Sequence, residues 1–213
     1  MTTDLGTLDD LDFPASRLAV DDDVADLLFR HARSAGAFTD EPVTDEDLEA
    51  VHDLAKWGPT ALNTSPMRTL VVRSREGRER LAAHMAEGNR ARVLAAPMAL
   101  VVAADPAFHR HLPVLAPHMP GKADELEGAV EAREGMARTN TLLQAGYLTI
   151  ALRAAGLAVG PMGGMDAAGI DAEFFAESGW RTVLVLLVGH AQGEGTHHPR
   201  APRLTWEQVS RTV

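Results

Sequence analysis

Residues 142–155 read LLQAGYLTIALRAA, a stretch that is apolar or small on nearly all sides when it is wound into a helix. The positions with this character are Leu142, Leu143, Gly146, Tyr147, Ile150, Ala151, Ala154 and Ala155. A helix that is apolar all round is buried, and in a chain of 213 residues this indicates burial against a second subunit as well.

Buried strands are predicted on both sides of this helix in the sequence. Short Val- and Leu-rich runs, each flanked by turn-forming residues, lie at residues 69–73, 98–103 and 182–188. Strands separated by long helical segments predict a layered α+β fold in which helices flank a sheet.

The N-terminal half contains two signals for the start of a helix. Asp21, Asp22 and Asp23 place negative charge where a helix dipole favours it, and apolar residues follow at helical spacing. Residues 44–47, TDED, are the second signal. The chain is therefore divided into an N-terminal arm, residues 1–20, and a single domain, residues 21–213.

Residues 106–135 are rich in His, Pro and acidic residues, and either a mobile cover or an exposed helical excursion fits them.

Composition excludes several classes of protein. The chain has no cysteine, which removes disulfides, thiolate zinc sites and thiol catalysis. A formal net charge of −10 argues against nucleic acid and anionic membranes as partners. Because there is neither a secretory signal at the start nor an apolar run long enough to span a bilayer, a cytoplasmic protein is expected.

Two short segments predict a ligand site. Residues 57–66, WGPTALNTSP, offer hydroxyls and a carboxamide, whereas residues 160–165, GPMGGM, offer backbone N–H groups with little side chain in the way. Each is predicted to be a turn that follows a helical stretch, where it can contact a ligand. A flat, polar heterocycle requires this combination of groups.

Three further sets of residues complete a pattern that is known from one family. They are Arg33-Ser34, the pair Asn89 and Arg92, and the pair Arg200 and Arg203. In this order, the set resembles the FMN-dependent nitroreductase superfamily, and within it the malonic semialdehyde reductase group of pyrimidine breakdown. The most branch-specific parts are residues 56–60, 112–113, 160–162 and 202–204.

The resemblance implies a three-layer α/β/α sandwich with a mixed, mostly antiparallel sheet, in a domain-interlocked homodimer with FMN at the interface. Arg33 and Ser34 would hold the FMN phosphate, with Arg203 and Arg200 closing on it. Asn89 and Arg92 would contact the ring near N1 and O2. The residues implied to reach across from the other protomer are Pro59, Thr60, Ala61 and Asn63. Those implied to cover one face of the ring are Pro161, Met162, Gly163 and Gly164.

The chemistry of these residue types agrees with such a ligand. A phosphate favours bidentate guanidinium donors and hydroxyls, which Arg33, Ser34 and Arg203 supply. A cation such as Arg92 near N1 and O2 of a flavin favours its reduced form.

The sequence departs from the family in two places. Ala35-Gly36-Ala37 follows Ser34 where a basic residue is common, and Met67-Arg68 replaces the aromatic residue that commonly follows the Asn-containing loop.

The resemblance implies an NAD(P)H-dependent oxidoreductase that transfers hydride through flavin N5 by a ping-pong mechanism. The expected substrate is a small 3-oxo acid such as malonic semialdehyde, reduced to 3-hydroxypropanoate. Its carboxylate requires a cation, for which Arg68 and Arg138 are candidates, while His111 and His118 are candidates for lining the cavity. No side chain is assigned as general acid. A broad nitroaromatic or quinone reductase, and a flavin-binding protein without turnover, remain alternatives.

No metal site is predicted. The pairs His109/His111 and His197/His198 have spacings that could bind a metal ion, but no Asp/Glu–His framework accompanies them. Nucleophile-elbow, phosphate-loop and dinucleotide glycine motifs are also missing from the sequence. NAD(P)H can still bind, transiently, in the substrate pocket of a flavin enzyme.

Overall fold

An antiparallel sheet organises the fold in the computed structural model, which describes residues 17–193 and 200–213. Its strands within the described residues are β1 (Met67–Val72), β2 (Met98–Ala104), β3 (Ala158–Met162) and β4 (Arg181–Gly189). They lie in the order β1-β2-β4-β3, and each neighbouring pair is antiparallel. The predicted strands at 69–73, 98–103 and 182–188 correspond to β1, β2 and β4 with ends shifted by one or two residues.

The described residues contain nine α-helices. They are α1 (Asp22–Ala25), α2 (Asp45–Ala55), α3 (Arg75–Ala83), α4 (Glu87–Ala95), α5 (Leu112–Leu115), α6 (Lys122–Gly128), α7 (Val130–Ala154), α8 (Ala167–Phe174) and α9 (Trp206–Val209). β2 is buried along its whole length because its alternate residues face two different cores. Leu100 packs in one core with α2 and α7, and Val101 packs in the other with α3, α4 and α8. The predicted α+β sandwich with helices on both faces is confirmed.

The chain divides into two compact units, residues 1–32 and 33–213. In the first unit, α1 continues as a π-helical turn, Asp26–Arg30, and Arg30 Nη1 forms ion pairs with Asp22 and Asp26 over 3.0 and 2.9 Å. Residues 1–16 of the predicted arm lie outside the described residues, and its boundary at residue 20 stays a prediction.

The start of α2 follows its sequence signal. The Thr44 hydroxyl accepts the backbone N–H of Asp47 over 3.1 Å, and the Asp47 carboxylate accepts the Thr44 N–H over 2.8 Å. This reciprocal capping box satisfies two backbone donors that the helix itself leaves without acceptors. It fixes where α2 begins.

The long helix α7 includes all but the last residue of the apolar stretch 142–155, but it begins earlier, at Val130. One side packs on the sheet, while Leu142, Leu143 and Tyr147 remain 47%, 52% and 47% exposed. Burial of this exposed side against a second subunit stays a prediction. The exposed side is apolar, as a subunit contact requires.

Residues 106–128 form short helices rather than an irregular cover. A 3₁₀ turn, Phe108–His111, leads into α5, and α6 follows. Phe108, Leu112 and Leu126 are buried in a third cluster of apolar side chains beside the end of β2. This segment is helical and packs through that cluster on residues of β2, α7 and β4, and its role as a cover stays open.

The second predicted ligand segment, residues 160–165, was expected to be a turn, but only part of it is one. Gly160, Pro161 and Met162 are the last residues of β3, and Gly163, Gly164 and Met165 lie beyond it. Proline cannot donate a backbone hydrogen bond to a neighbouring strand, so within sheets it is tolerated mainly on edge strands. Pro161 fits this rule because β3 lies at the edge of the sheet. Among the described residues, no helix is both long and apolar enough to cross a membrane.

Candidate functional site

The predicted phosphate segment lies along the outer edge of β3. Ser34 pairs with Val159 in a parallel bridge, and the Ala35 N–H donates to the Val159 oxygen over 2.9 Å. This places Arg33 and Ser34 beside the strand that leads into residues 163–164. Two segments that are far apart in the sequence therefore meet at one edge of the sheet.

Arg92 joins α4 to the same place. Its Nη2 donates to the backbone oxygen of Ala35 over 3.1 Å. A Cβ built on Gly160 would lie 2.8 Å from that oxygen and 3.7 Å from Arg92 Nη2. Glycine at position 160 is therefore required for the close approach of Ala35 to the strand.

Asn89, one turn before Arg92 on α4, contacts the glycine segment directly. Its Nδ2 donates to the Gly164 oxygen over 3.0 Å, and the same oxygen accepts the Ala86 N–H over 3.0 Å. A Cβ on Gly164 would come within 3.0 Å of Asn89 Nδ2, whereas one on Gly163 would meet nothing within 4 Å. The backbone at Gly163 is thus open to a ligand, while Gly164 is held by α4.

The arginines predicted at the two ends of the domain lie within electrostatic reach of one another. Burial, and then the positive charges of Arg33 and Arg203, lower the pKa of the Arg200 guanidinium. Burial, and then the charge of Arg200, lower the pKa of Arg153 in the last turn of α7. Like charges held together raise the local positive potential, which favours an anion. Sequence reasoning missed Arg153, because an arginine at a helix end more commonly satisfies carbonyls.

The loop that carries Pro59 to Asn63 is held by α7 and by the end of α5. The Ala61 N–H donates to Asn140 Oδ1 over 2.7 Å, and Asn63 Nδ2 donates to the Leu115 oxygen over 2.9 Å. The Thr60 hydroxyl accepts the Ser65 N–H over 3.1 Å. The structure therefore brings together the residues predicted for the phosphate and the glycine segment, and it holds the loop separately against the long helix.

A cavity of about 570 Å³ lies next to this loop. Its lining residues are His52, Lys56, Ser65, Met67, Arg68, Thr69, His111, Val114, Leu115, Gln144 and Trp180. This volume is in the range of small-molecule pockets, and the two cations that line it, Lys56 and Arg68, are each paired with a carboxylate outside the lining, Asp53 and Asp105. Of the predicted substrate residues, Arg68 and His111 line the cavity, whereas Arg138 and His118 do not.

Arg68 is held in place by a nearly buried carboxylate. Its Nη2 lies 2.7 Å from Asp105 Oδ2, and its Nη1 donates to the Ser65 and Met67 oxygens over 3.0 and 2.9 Å. The Asp105 side chain is 8% exposed. A guanidinium fixed in this way points in a constant direction, and this is useful for a residue that has to orient an anion.

The histidines do not form a metal site within the described part of the chain, where no group of three or more potential ligands occurs. His109 is buried, and its Nε2 forms a hydrogen bond with Glu127. This bond, followed by the charge of His109, lowers the pKa of Glu127 against the effect of burial. His197 and His198 lie outside the described residues.

Comparison with known proteins identifies the family. A model of the nitroreductase family matches residues 29–190. Relatives from Streptomyces griseus and Streptomyces coelicolor, each named "Putative NADH dehydrogenase/NAD(P)H nitroreductase", are 50% and 49% identical over 196 residues. Each match covers 92% of this chain and 99% of the relative.

Solved structures show the same fold. A "putative nitroreductase in complex with FMN" from Exiguobacterium sibiricum superposes with a TM-score of 0.75 at 22% identity, over 93% of this chain and all of that one. A nitroreductase family protein from Streptococcus pneumoniae gives 0.73 at 19% identity, over 90% of this chain and 98% of the other. Because the family model spans most of the sequence and a full-length relative is half identical, this chain belongs to the nitroreductase family.

Proposed function

We propose that this chain is an FMN-dependent NAD(P)H oxidoreductase that reduces a small 3-oxo acid such as malonic semialdehyde to 3-hydroxypropanoate. When bound, FMN would supply the carrier that accepts hydride from NAD(P)H and passes it to the substrate. The observation that carries the proposal is the meeting of Ser34, Arg92 and the open Gly163 backbone at one edge of the sheet.

The donors at this edge fit a phosphate monoester. Arg33, Arg200 and Arg203 act on one another electrostatically, and Ser34 adds a hydroxyl beside them. The net charge of −10 repels anions from most of the surface, so the attraction has to be local. A cluster of guanidinium groups supplies this attraction together with bidentate hydrogen bonds.

The groups beyond β3 fit the polar edge of a flat ring. The Gly163 backbone has open space where a side chain would lie, and Asn89 and Arg92 approach from α4. In this proposal Gly163 donates a backbone N–H to the ring, and Arg92 contributes positive charge to the edge where reduced flavin carries its negative charge.

A homodimer would complete the site. The exposed apolar side of α7, with Leu142, Leu143 and Tyr147, is a suitable contact surface, and Trp57 immediately before the loop is 79% exposed. In the dimer, Pro59, Thr60, Ala61 and Asn63 of one protomer would reach the flavin of the other. This arrangement explains why the loop is held on α7, apart from the phosphate side of its own chain.

The cation-lined cavity supports an anionic substrate. Ser65, which lines it, lies two residues after Asn63, so the cavity opens beside the proposed flavin loop. Arg68 would hold the carboxylate of a 3-oxo acid, with His111 nearby on the opposite segment. The aldehyde end would then extend toward the loop.

The first experiment measures flavin directly. Purified protein should show flavin absorbance that heat releases, and anaerobic NADPH or NADH should bleach it. Reoxidation by malonic semialdehyde, faster than by a neutral aldehyde of the same size, is the expected result. Absence of bleaching with both nicotinamides would favour a flavin-binding protein without turnover.

Arg68 can be tested against Arg138 as the carboxylate ligand. Arg68→Met is combined with Asp105→Asn, because a buried carboxylate left without its partner would destabilise the protein by itself. The pair of substitutions should raise KM for the oxo acid and leave KM for the neutral aldehyde unchanged. Arg138→Met, outside the cavity, is the matched control and should leave both KM values unchanged.

A broad nitroaromatic or quinone reductase is the second candidate, and the names of the Streptomyces relatives favour it. It requires only an accessible ring face and an apolar slot, for which Met67, Val114 and Trp180 are available in the cavity. Equal rates of reoxidation by neutral aldehyde and oxo acid, with faster reoxidation by a quinone, would replace the oxo-acid proposal with this one.

A further inference from the structure

One side of α7 presents buried polar groups to the loop at residues 58–67. Asn140 and Gln144, one turn apart and 4% and 5% exposed, accept the backbone N–H groups of Ala61 and Met67 over 2.7 and 2.9 Å. Tyr147 lies one further turn along the helix, and its ring packs on Gly58. Three successive turns of one helix thus contact the beginning, middle and end of the loop.

The loop needs this support because its backbone is unfavourable. Leu62, Asn63 and Ser65 have φ values of 55°, 55° and 41°, in the left-handed region that residues other than glycine seldom adopt. Such a conformation persists only where the surrounding structure imposes it. Asn63 is also one of the residues proposed to contact the flavin.

Of the three contacts from α7, that of Asn140 lies nearest to these residues. Its Oδ1 accepts the Ala61 N–H, and its Nδ2 donates to the Met136 oxygen one turn earlier in α7. The second bond fixes the orientation of the carboxamide, so the acceptor oxygen has a defined position. Ala61 is thereby held immediately before the first left-handed residue, Leu62.

We infer that Asn140 is a positioning residue for flavin binding, which sets the conformation of the Pro59–Asn63 loop through the Ala61 N–H. The inference rests on the proposed function, in which this loop contacts FMN. Asn140 does not itself touch the cofactor in this arrangement. Its effect on FMN affinity passes through one hydrogen bond.

The bond can be removed from either side. Asn140→Leu removes the acceptor with a side chain of similar size. Ala61→Pro removes the donor. Proline is compatible with this position because the preceding residue, Thr60, is extended, with φ −134° and ψ 152°. Position 61 is also the first residue of a 3₁₀ turn, where proline is well tolerated. Each variant should weaken FMN binding about tenfold, the usual effect of one lost hydrogen bond in a preorganised site.

The double variant distinguishes the bond from general damage. If both substitutions act through the same hydrogen bond, the double variant should also bind FMN about tenfold more weakly, rather than about a hundredfold as independent effects would give. FMN affinity is measured by fluorescence titration of the apoprotein, and the melting temperature of the apoprotein is recorded in parallel. Ala61→Pro lies outside the helix, so it tests the inference even where Asn140→Leu fails to fold. Because Ala61 is itself proposed to reach the flavin, Ala61→Gly, which keeps the N–H, measures what the side chain alone contributes and should leave FMN affinity near that of the wild type.

Thr141→Val is the matched control. Thr141 is fully buried on the same helix, its hydroxyl has no hydrogen-bond partner among the described residues, and it is adjacent to Asn140. It should leave FMN affinity unchanged. Wild-type affinity in both single variants, with only a lower melting temperature, would overturn the inference, as would an additive double variant. Wild-type protein that binds no FMN would instead reject the proposed function.

Discussion

Arg92 Nη2 donates a hydrogen bond to the backbone oxygen of Ala35 over 3.1 Å. Because the Ala35 N–H is bonded to Val159, this contact links α4, the segment after Ser34 and β3 in one series of hydrogen bonds. The guanidinium is thereby held at the edge of the sheet where the flavin is proposed to bind. Its charge has a fixed position, and this allows a definite prediction.

Arg92→Met should make the two-electron reduction potential of bound flavin more negative by about 30–60 mV, because a lost charged hydrogen bond removes about 1.5–3 kcal/mol of preference for the reduced form. Equilibration with a reference dye measures the potential. Arg90→Met is the control, since Arg90 lies on the same helix and donates to the Met85 oxygen. An equal shift in both variants would show that Arg92 has no particular role.

Arg33→Ala and Arg203→Ala should each weaken FMN binding by about 1.5–3 kcal/mol, since each removes a charged donor from the proposed phosphate site. The measurement is the dissociation constant of FMN, and riboflavin, which lacks the phosphate, should show no difference. Arg75→Ala serves as control, because Arg75 is 87% exposed and pairs with Glu79 on α3. Unchanged FMN affinity in both site variants would remove the phosphate assignment.

Gly58→Ala should lower the free energy of unfolding by about 1–3 kcal/mol, the usual range for overpacking. A Cβ at this position would lie 2.6 Å from Tyr147 Cγ and 3.1 Å from its Cβ, atoms too near the helix backbone to move aside easily. Denaturant unfolding measures the change. Gly135→Ala, at a helical position with open space, should instead stabilise the protein by about 0.5–1 kcal/mol. A neutral result at Gly58 would mean that the Tyr147 ring is free to turn away.

Glu127→Gln should reduce stability at neutral pH but not at strongly acidic pH. The hydrogen bond with His109 lowers the pKa of Glu127 in the folded state below its ordinary value of 4.5. The ionised carboxylate therefore stabilises the fold above that pH, and the contribution is lost as the pH falls through the lowered pKa.

Urea unfolding as a function of pH should show the wild type and Glu127→Gln converging as the pH falls below 4.5. Glu134→Gln removes the same charge at an exposed position of α7 and is the control. A constant difference between the wild type and Glu127→Gln at every pH would contradict an ionised carboxylate as the cause.

The sequence was informative where local chemistry determines structure. Thr44 and Asp47 predict the start of α2, because a capping box involves only residues within one turn. The central strands follow from their uninterrupted apolar runs. β3 was missed, because a Gly-Pro pair is typical of a turn and becomes a strand only at the edge of a sheet.

Parts of the candidate site depend on contacts that no local pattern contains. Asn140 and Ala61 are 79 residues apart, and an asparagine within an apolar helix is not by itself a signal for a loop contact. The approach of Arg153 to Arg200 likewise depends on how the chain end returns to the domain. The resemblance to the family singled out Ser34, Asn89 and Arg92 as candidate site residues. The fold explains why these three residues lie close together.

The strand order β1-β2-β4-β3 has a consequence for synthesis on the ribosome. β2 pairs with β1 soon after both emerge, but its other neighbour, β4, begins only at Arg181. Until then the most apolar strand of the protein has an open edge, to which another nascent chain could add. Because β4 then inserts between β2 and β3, the sheet is completed only after β4 has been made, and until that point β2 carries an open edge.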